Sequence, residues 1–255
     1  MRRLVSIAAP LLLIAVLLAG WEAACRLAAI PTYLLPAPSQ VAAAAWDNLP
    51  VLASSAWITL SIAIRAWVLA SLIACSIALA VSVNWVVEDA VRPLALIVQV
   101  TPVVAIAPLV NIWAGLDHPE RGVIALAIVV AFFPIFSGTL TGLKSADPDL
   151  ERLFDLYGAG PIQRLFRLRL PSAVPFILQG HKVAVGLALV GAVVAEYVAG
   201  SGGAQGLAWR ILEAEHRLQT AKMLAALAVL AAMAVALYAA MQLAEQVILR
   251  RWRGR

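Results

Sequence analysis

Two ionisable residues stand where an apolar chain carries few. Arg65, in "SIAIRAW", and Glu196, in "VVAEYVAG", lie inside long apolar runs, where a charged side chain is costly and defaults to a functional reading. Arg65 needs a carboxylate or carbonyl partner, and Glu22 is one candidate. A structural ion pair and a place on a solute path both remain open for it. Glu196 either lines such a path or its outer gate, or is paired structurally. A second constellation is "DLYGAGPIQRLFRLRLPSAVP", residues 155–175, which sets Arg164, Arg167 and Arg169 among glycines and prolines. Such arginines can meet anionic lipid or a groove on another protein. The remaining candidates are weak. His118, His181 and His216 are scattered and suggest no metal site. Cys25 and Cys75 sit in apolar runs and read as small buried thiols. "GSGGAQG", residues 200–206, is glycine-rich but lacks the Lys-Ser/Thr ending of a phosphate-binding loop, and reads as a flexible turn.

The elements that hold these residues follow from composition. The chain has 255 residues, 63% hydrophobic and 13% charged, with a mean hydropathy of +0.93. A soluble domain carries about 25% charged residues. Runs of ~18 or more apolar residues cross a bilayer as helices, and several occur here. The fold class is therefore all-α, a polytopic membrane protein. The formal charge of +5 belongs with cytoplasmic loops, not with nucleic acid. The N-terminus, "MRRLVSIAAPLLLIAVLLAGWEAACRL", starts like a signal peptide, but its apolar run exceeds a signal core and continues into Trp21. It reads as a retained first span.

Six spans are expected, at about 4–28, 55–84, 93–114, 122–143, 173–199 and 221–248, in one domain over residues 1–255. "VAAAAWDNL" reads as an interfacial helix before the second span. "EDAVR" reads as a charged turn before the third, and "GSGGAQGLAWRILEAEHRLQT" as the link between the fifth and sixth. With the N-terminus inside, the cytoplasmic side holds Arg2, Arg3, Arg92, Lys144, Arg152, Arg164, Arg167, Arg169, Arg250, Arg251, Arg253 and Arg255. Lys182 can snorkel to that side. Only Arg26, Arg121, Arg210, Arg217 and Lys222 fall outside. The positive-inside rule thus places both termini in the cytoplasm. Pro102, Pro108 and Pro134 bend their helices and free carbonyls that a path could use. Trp113 is an interface anchor or a path residue. Gly186 and Gly191 are candidates for close helix contact.

The loop of 144–172 reads as two short helices. Asp147 caps the first, Pro148 opens it, and Asp149 and Glu151 suit its positive end. Leu150, Leu153, Phe154 and Tyr157 share one face, with Asp149, Glu151, Arg152 and Asp155 on the other. Gly158 and Gly160 end it. "PIQRLFRLRL" forms the second helix, closed by Pro171 before the fifth span. An exposed apolar and aromatic face ringed by mixed charge suits a protein groove better than a lipid surface.

This loop resembles the cytoplasmic signature of permease subunits of ABC-type importers: Glu-Ala-Ala, three residues, Gly, nine residues, Ile, one residue, Leu-Pro. Gly158, Leu168, Leu170 and Pro171 fall on the Gly, Ile, Leu and Pro positions. Arg152, Leu153 and Phe154 stand where Glu-Ala-Ala is usual, with Glu151 one place early. The usual salt bridge from that Glu to the ATPase is therefore not carried over. "LPAPSQV", "TPVVAIAPLVNIWAGL", "FFPIFSGTLTGLKSADPDL" and "GAVVAEYVAGSGG" extend the resemblance to the branch serving nitrate, sulfonate, taurine and pyrimidine precursors.

The resemblance implies a type I ABC importer permease fold in the bacterial inner membrane. It implies a homodimer with a second copy of the chain, two cytoplasmic ATPase subunits that bind ATP and Mg, and a periplasmic solute-binding protein. The chain itself would bind no cofactor and hold no catalytic residue. Leu150, Glu151, Arg152, Leu153, Phe154, Tyr157, Gly158, Arg164, Arg167, Leu168, Leu170 and Pro171 would couple to the ATPase. Glu196, Arg65, Pro102 and Trp113 would serve the path or gate. The alternative class is an ion-gradient-driven secondary transporter or channel, which needs a denser set of intramembrane acids than Glu22 and Glu196.

Overall fold

The computed structural model describes residues 2–115, 118–200 and 205–253, and the regular elements among them are all helical. Alanines set the frame. In α3 (Leu49–Val81) the residues Ala63, Ala66, Ala70, Ala74 and Ala78 are buried along one stripe, at the spacing that stacks side chains on one helical face. That stripe lies against α6 (Pro119–Leu143) and α9 (Leu170–Ala199), and these three helices form the core. Lipid tails are as apolar as leucine, so close packing of small residues has to supply the adhesion between such helices.

Glycines set the distance between α6 and α9. A methyl group on Gly180 would fall 2.6 Å from the Pro134 carbonyl oxygen, and one on Gly138 would fall 2.9 Å from that of Phe176. Gly191, expected to make such a contact, makes it against the backbone of Ala127. Gly186, expected to do the same, has open space beside it. The reason is rotational: Gly180 and Gly191 lie on the α6-facing side of α9, and Gly186 does not.

The second expected span begins earlier, at Leu49, because α2 (Pro38–Asp47) turns into α3 at Asn48. The interfacial helix read from "VAAAAWDNL" is this α2. The third expected span is two helices, α4 (Trp85–Val100) and α5 (Val103–Ala114), bent by 99° at Thr101–Pro102. Proline lacks the N–H for a helical bond and restricts the residue before it, and Thr101 and Pro102 both take extended backbone angles here. "EDAVR" is not a turn. Asn84 caps α4 by accepting from the Val86 N–H at 2.9 Å, so the helix is already under way at Glu88. Pro108 and Pro134 lie inside α5 and α6.

The segment after the fourth span holds α7 (Pro148–Leu156) and α8 (Pro161–Arg164). Pro171 does not close the second helix. From α8 the chain passes through a π turn, Leu165–Arg169, straight into α9. The wider turn lets the Leu170 N–H reach the Leu165 carbonyl, so the helix accommodates the proline ring instead of breaking on it. The sequence between the fifth and sixth spans contains a further helix, α10 (Leu207–His216), before α11 (Thr220–Arg253). Ser201–Ala204, and with them most of "GSGGAQG", lie outside the described residues.

Among the described residues, four helices are long and apolar enough to cross a membrane alone: α3, α6, the continuous stretch Pro161–Ala199, and α11. The bent α4–α5 pair makes a fifth crossing if taken as one span. The first helix, α1 (Arg2–Leu27), has 26 residues, about 39 Å at 1.5 Å per residue, and lies where the first of the six spans is expected.

Candidate functional site

The segment expected to couple to an ATPase is built as two helical pieces joined at a glycine turn. Asp147 caps α7 by accepting from the Asp149 N–H at 2.8 Å. At its other end Gly158 has φ +65°, a left-handed conformation that a side chain disfavours. The Gly158 N–H donates to the Asp155 carbonyl at 3.0 Å and the Ala159 N–H to that of Phe154 at 2.9 Å, the pair of bonds that seals a helix ending on glycine. Leu150, Leu153 and Tyr157 of the expected apolar face are exposed, Phe154 is half-buried, and Arg152 and Arg167 are exposed. Leu168 is buried, and Leu170 and Pro171 form the first turn of α9.

Ion pairs cross the hinge. Glu151 accepts from Arg169 Nε at 2.6 Å and lies 3.9 Å from Arg164, which also pairs with Asp155. Arg164 Nε donates in addition to the Ala159 carbonyl at 3.0 Å. Glu151 and Arg164, expected on a docking surface, are thus struts joining α7 to the base of α9. Arg152, by contrast, only reaches Asp149 on its own helix, at 3.1 Å. Displacing α7 would therefore pull on the Pro161–Ala199 helix through Glu151 and Arg164.

Beside the hinge, Glu88 on α4 is buried and bridges Arg92 at 2.8 Å and Lys144, just past the end of α6, at 2.7 Å. The four-residue spacing of Glu88 and Arg92 was a legible signal for their pairing. Lys144 carried none.

At the opposite end, Glu196 is fully buried. Thr59 Oγ1 on α3 donates to its carboxylate at 2.9 Å, and the Ala208 N–H, in the first turn of α10, donates at 3.3 Å. Thr59 Oγ1 in turn accepts from the Leu207 N–H at 2.9 Å. A carboxylate on α9 thus caps α10, where the helix dipole favours negative charge. Gly206 makes room for this, since a methyl group there would strike both the Glu196 carboxylate and the Thr59 hydroxyl. Glu196 lines no open surface in this conformation; it fastens α10 to the core. Thr59 and Gly206 were missed, because neither has a local sequence signal for a contact so distant along the chain. Glu196→Ala is expected to orphan the Thr59 hydroxyl and the Ala208 N–H at roughly 1–3 kcal/mol per group. Glu196→Gln, which keeps an acceptor, should cost less. Thermal unfolding of the purified protein in detergent reads the difference, and equal melting temperatures for the parent and Glu196→Ala would overturn the latch.

Arg65 does not meet Glu22. Glu22 accepts from Arg26 Nε at 2.6 Å and from the Ser39 N–H and hydroxyl at 2.9 and 2.7 Å, fixing α1 to the start of α2. Arg65 instead faces Glu120 at 3.7 Å, and both side chains are more than half exposed, 56% and 62%. Trp113 is exposed in the last turn of α5, and Pro102 sits at the bend. Arg65, Pro102, Trp113 and Glu196 therefore do not converge on one pocket. Lys182 pairs with Glu245 of α11 at 2.7 Å, which binds the last helix to α9. Among the described residues, no cluster of three or more metal-ligating side chains occurs.

A bundle of apolar helices, with an amphipathic helix exposed at one end of a core span, defines a polytopic membrane protein. Residues 68–254 match the family of binding-protein-dependent transport system inner membrane components, and the chain belongs to that family. It is similar to a probable ABC transporter permease protein of Haemophilus influenzae, 30% identical with 90% of this chain and 91% of the relative covered. It is 34% identical to the formylaminopyrimidine transport permease protein ThiX of Halalkalibacterium halodurans, over 76% of this chain and 77% of that one. It is 32% identical to the riboflavin transport system permease protein RibX of Chloroflexus aurantiacus, over 92% and 86%. The chain is an inner-membrane, multi-pass permease subunit of an ABC importer.

Proposed function

We propose that two copies of this permease form the translocation path for a small solute brought by a periplasmic binding protein, while two cytoplasmic ATPase subunits bind ATP and Mg and perform the hydrolysis. Both termini and the hinge then face the cytoplasm, as the distribution of Lys and Arg favours. The observation that carries this reading is the exposed face of Leu150, Leu153 and Tyr157 on a helix strutted through Glu151 to Arg169. Such a face fits a groove on a partner, and the struts convey its displacement to α9. With Glu151 turned inward, Arg152 and Arg167 are the arginines of this segment that stay exposed for the ATPase surface. On this reading Glu196 acts at the outer gate through α10, and Arg65, whose partner is the exposed Glu120 at 3.7 Å, contributes to the path. The relatives' names make small organic solutes the class to test: sulfonates, taurine, pyrimidine precursors and flavin-like heterocycles.

The test is co-purification with co-expressed candidate ATPase and binding-protein subunits from the same organism, followed by uptake into proteoliposomes. Recovery of the three components together, with uptake that requires internal ATP, is expected. Recovery of the permease alone, with uptake that survives ATP depletion, would refute the proposal.

A further inference from the structure

A separate constellation sits at the end of the molecule opposite the hinge. A cavity of about 180 Å³ opens where the α2–α3 corner meets the α10–α11 corner, with Asn48, Leu52, Arg210, Glu213, Arg217 and Lys222 in its wall. Arg210 is fixed there: its Nε donates to Ser55 Oγ at 3.0 Å and its Nη1 pairs with Glu213 at 2.9 Å. Arg217 pairs with the other Glu213 oxygen at 2.9 Å. Three cations face one carboxylate, so the cavity holds a formal excess of two positive charges.

That excess runs against the trend of the chain. The positive-inside rule depletes Lys and Arg from the outer side, and only Arg26, Arg121, Arg210, Arg217 and Lys222 fall there. Three of those five converge on this cavity. Its depth profile is also specific. α3 and α11 both run into the membrane from this level, so Leu52 lies one turn deeper than Asn48 and Ala225 about one turn deeper than Lys222. The wall is charged at the mouth and apolar below. Trp46, in the last turn of α2 beside Asn48, is 77% exposed, and a tryptophan of this kind marks the headgroup level.

We propose that this cavity binds the headgroup of an anionic phospholipid. The phosphate oxygens meet Arg217 and Lys222, with Arg210 held behind them by Ser55. Guanidinium and ammonium groups suit phosphate oxygens whichever leaflet supplies them. Free phosphate shares the oxyanion chemistry but has no acyl chain to lie along Leu52 and Ala225. Glu213 orients the two arginines and leaves the net charge positive. A lipid held here braces the α2–α3 corner against α10, the helix that Glu196 caps. The choice of leaflet rests on the orientation proposed above; the binding chemistry does not.

Native mass spectrometry of the permease in complex with its partner subunits, with phosphatidylglycerol or phosphatidylcholine added, tests the site. Phosphatidylglycerol is expected to stay bound preferentially, and the double variant Arg217→Gln, Lys222→Gln to lose about tenfold of that preference. Arg250→Gln, Arg251→Gln, at the far end of α11, should keep it. Thermal unfolding of the same samples guards against misfolding: phosphatidylglycerol should raise the melting temperature of the parent and not of the double variant. Equal retention of the two lipids, or a preference that the double variant keeps, would overturn the proposal. Complete displacement of lipid by millimolar inorganic phosphate would make it a free-oxyanion site, and retention of an acidic partner peptide in place of lipid would make it a protein-docking site; either result overturns it. Labelling of Lys222→Cys by an impermeant thiol reagent, with Cys25 and Cys75 replaced by alanine, tests the leaflet separately. Labelling from the cytoplasmic side alone would refute the orientation and leave the lipid result standing.

Discussion

Gly158→Pro is expected to leave membrane insertion intact and to lower ATP-driven uptake by about tenfold or more. Proline holds φ near −65°, whereas Gly158 has φ +65°, and proline also removes the N–H that donates to Asp155 at 3.0 Å. The bonds that seal α7 cannot then form, and the struts from Glu151 and Asp155 to Arg164 and Arg169 lose their register. The spans themselves are untouched, because Gly158 lies outside them. Gly160→Ala is the matched control: Gly160 has φ −70° and open space at its Cβ position, so uptake should stay near that of the parent. Uptake in proteoliposomes reads both variants, and normal ATP-driven uptake by Gly158→Pro would remove the hinge from the mechanism.

A marked effect on folding is also expected at Gly180. A single methyl there would sit 2.6 Å from the Pro134 carbonyl oxygen, with Ile135 Cα at 3.4 Å. Both are backbone atoms, so no side chain can rotate away and α6 and α9 must separate. Overpacking of this kind costs ~1–3 kcal/mol, and it acts on the contact that carries most of the core. Gly180→Ala should therefore lower the melting temperature and the yield of folded protein in detergent. Gly186→Ala, two turns along the same helix with nothing within 4 Å, should leave the melting temperature unchanged or raise it, since alanine favours helix by ~1 kcal/mol over glycine. Equal behaviour of the two variants would show that α6 and α9 are not in backbone contact at Gly180.

Local signals were legible along the chain. Apolar length announces the spans, and the Asp147-Pro148 start and the Gly158 stop of α7 each have a short-range cause: a side chain that caps and a residue free to take positive φ. The spacing of Leu150, Leu153, Phe154 and Tyr157 places one apolar face, of which Leu150, Leu153 and Tyr157 are exposed and Phe154 is half-buried. Where the reading failed, a local rule met a longer-range remedy. Pro171 looked like a stop, but the π turn before it absorbs the missing hydrogen bond. "EDAVR" looked like a turn because it is charged, yet Arg92 and Lys144 neutralise Glu88 within the fold.

Pairings between distant residues were not legible. Hydropathy and loop charge report what each segment needs from its solvent, so the sequence was enough to establish a helical membrane protein with a glycine-hinged loop between two of its spans. Which partner a buried charge finds depends on how the helices are rotated and stacked, and each helix offers several faces at nearly equal cost. Packing of the glycines at 138, 180 and 191 settles that rotation. It brings Thr59 to Glu196 across 137 positions of chain, gives Arg65 to Glu120 in place of Glu22, and turns Glu151 from an outward contact into a strut.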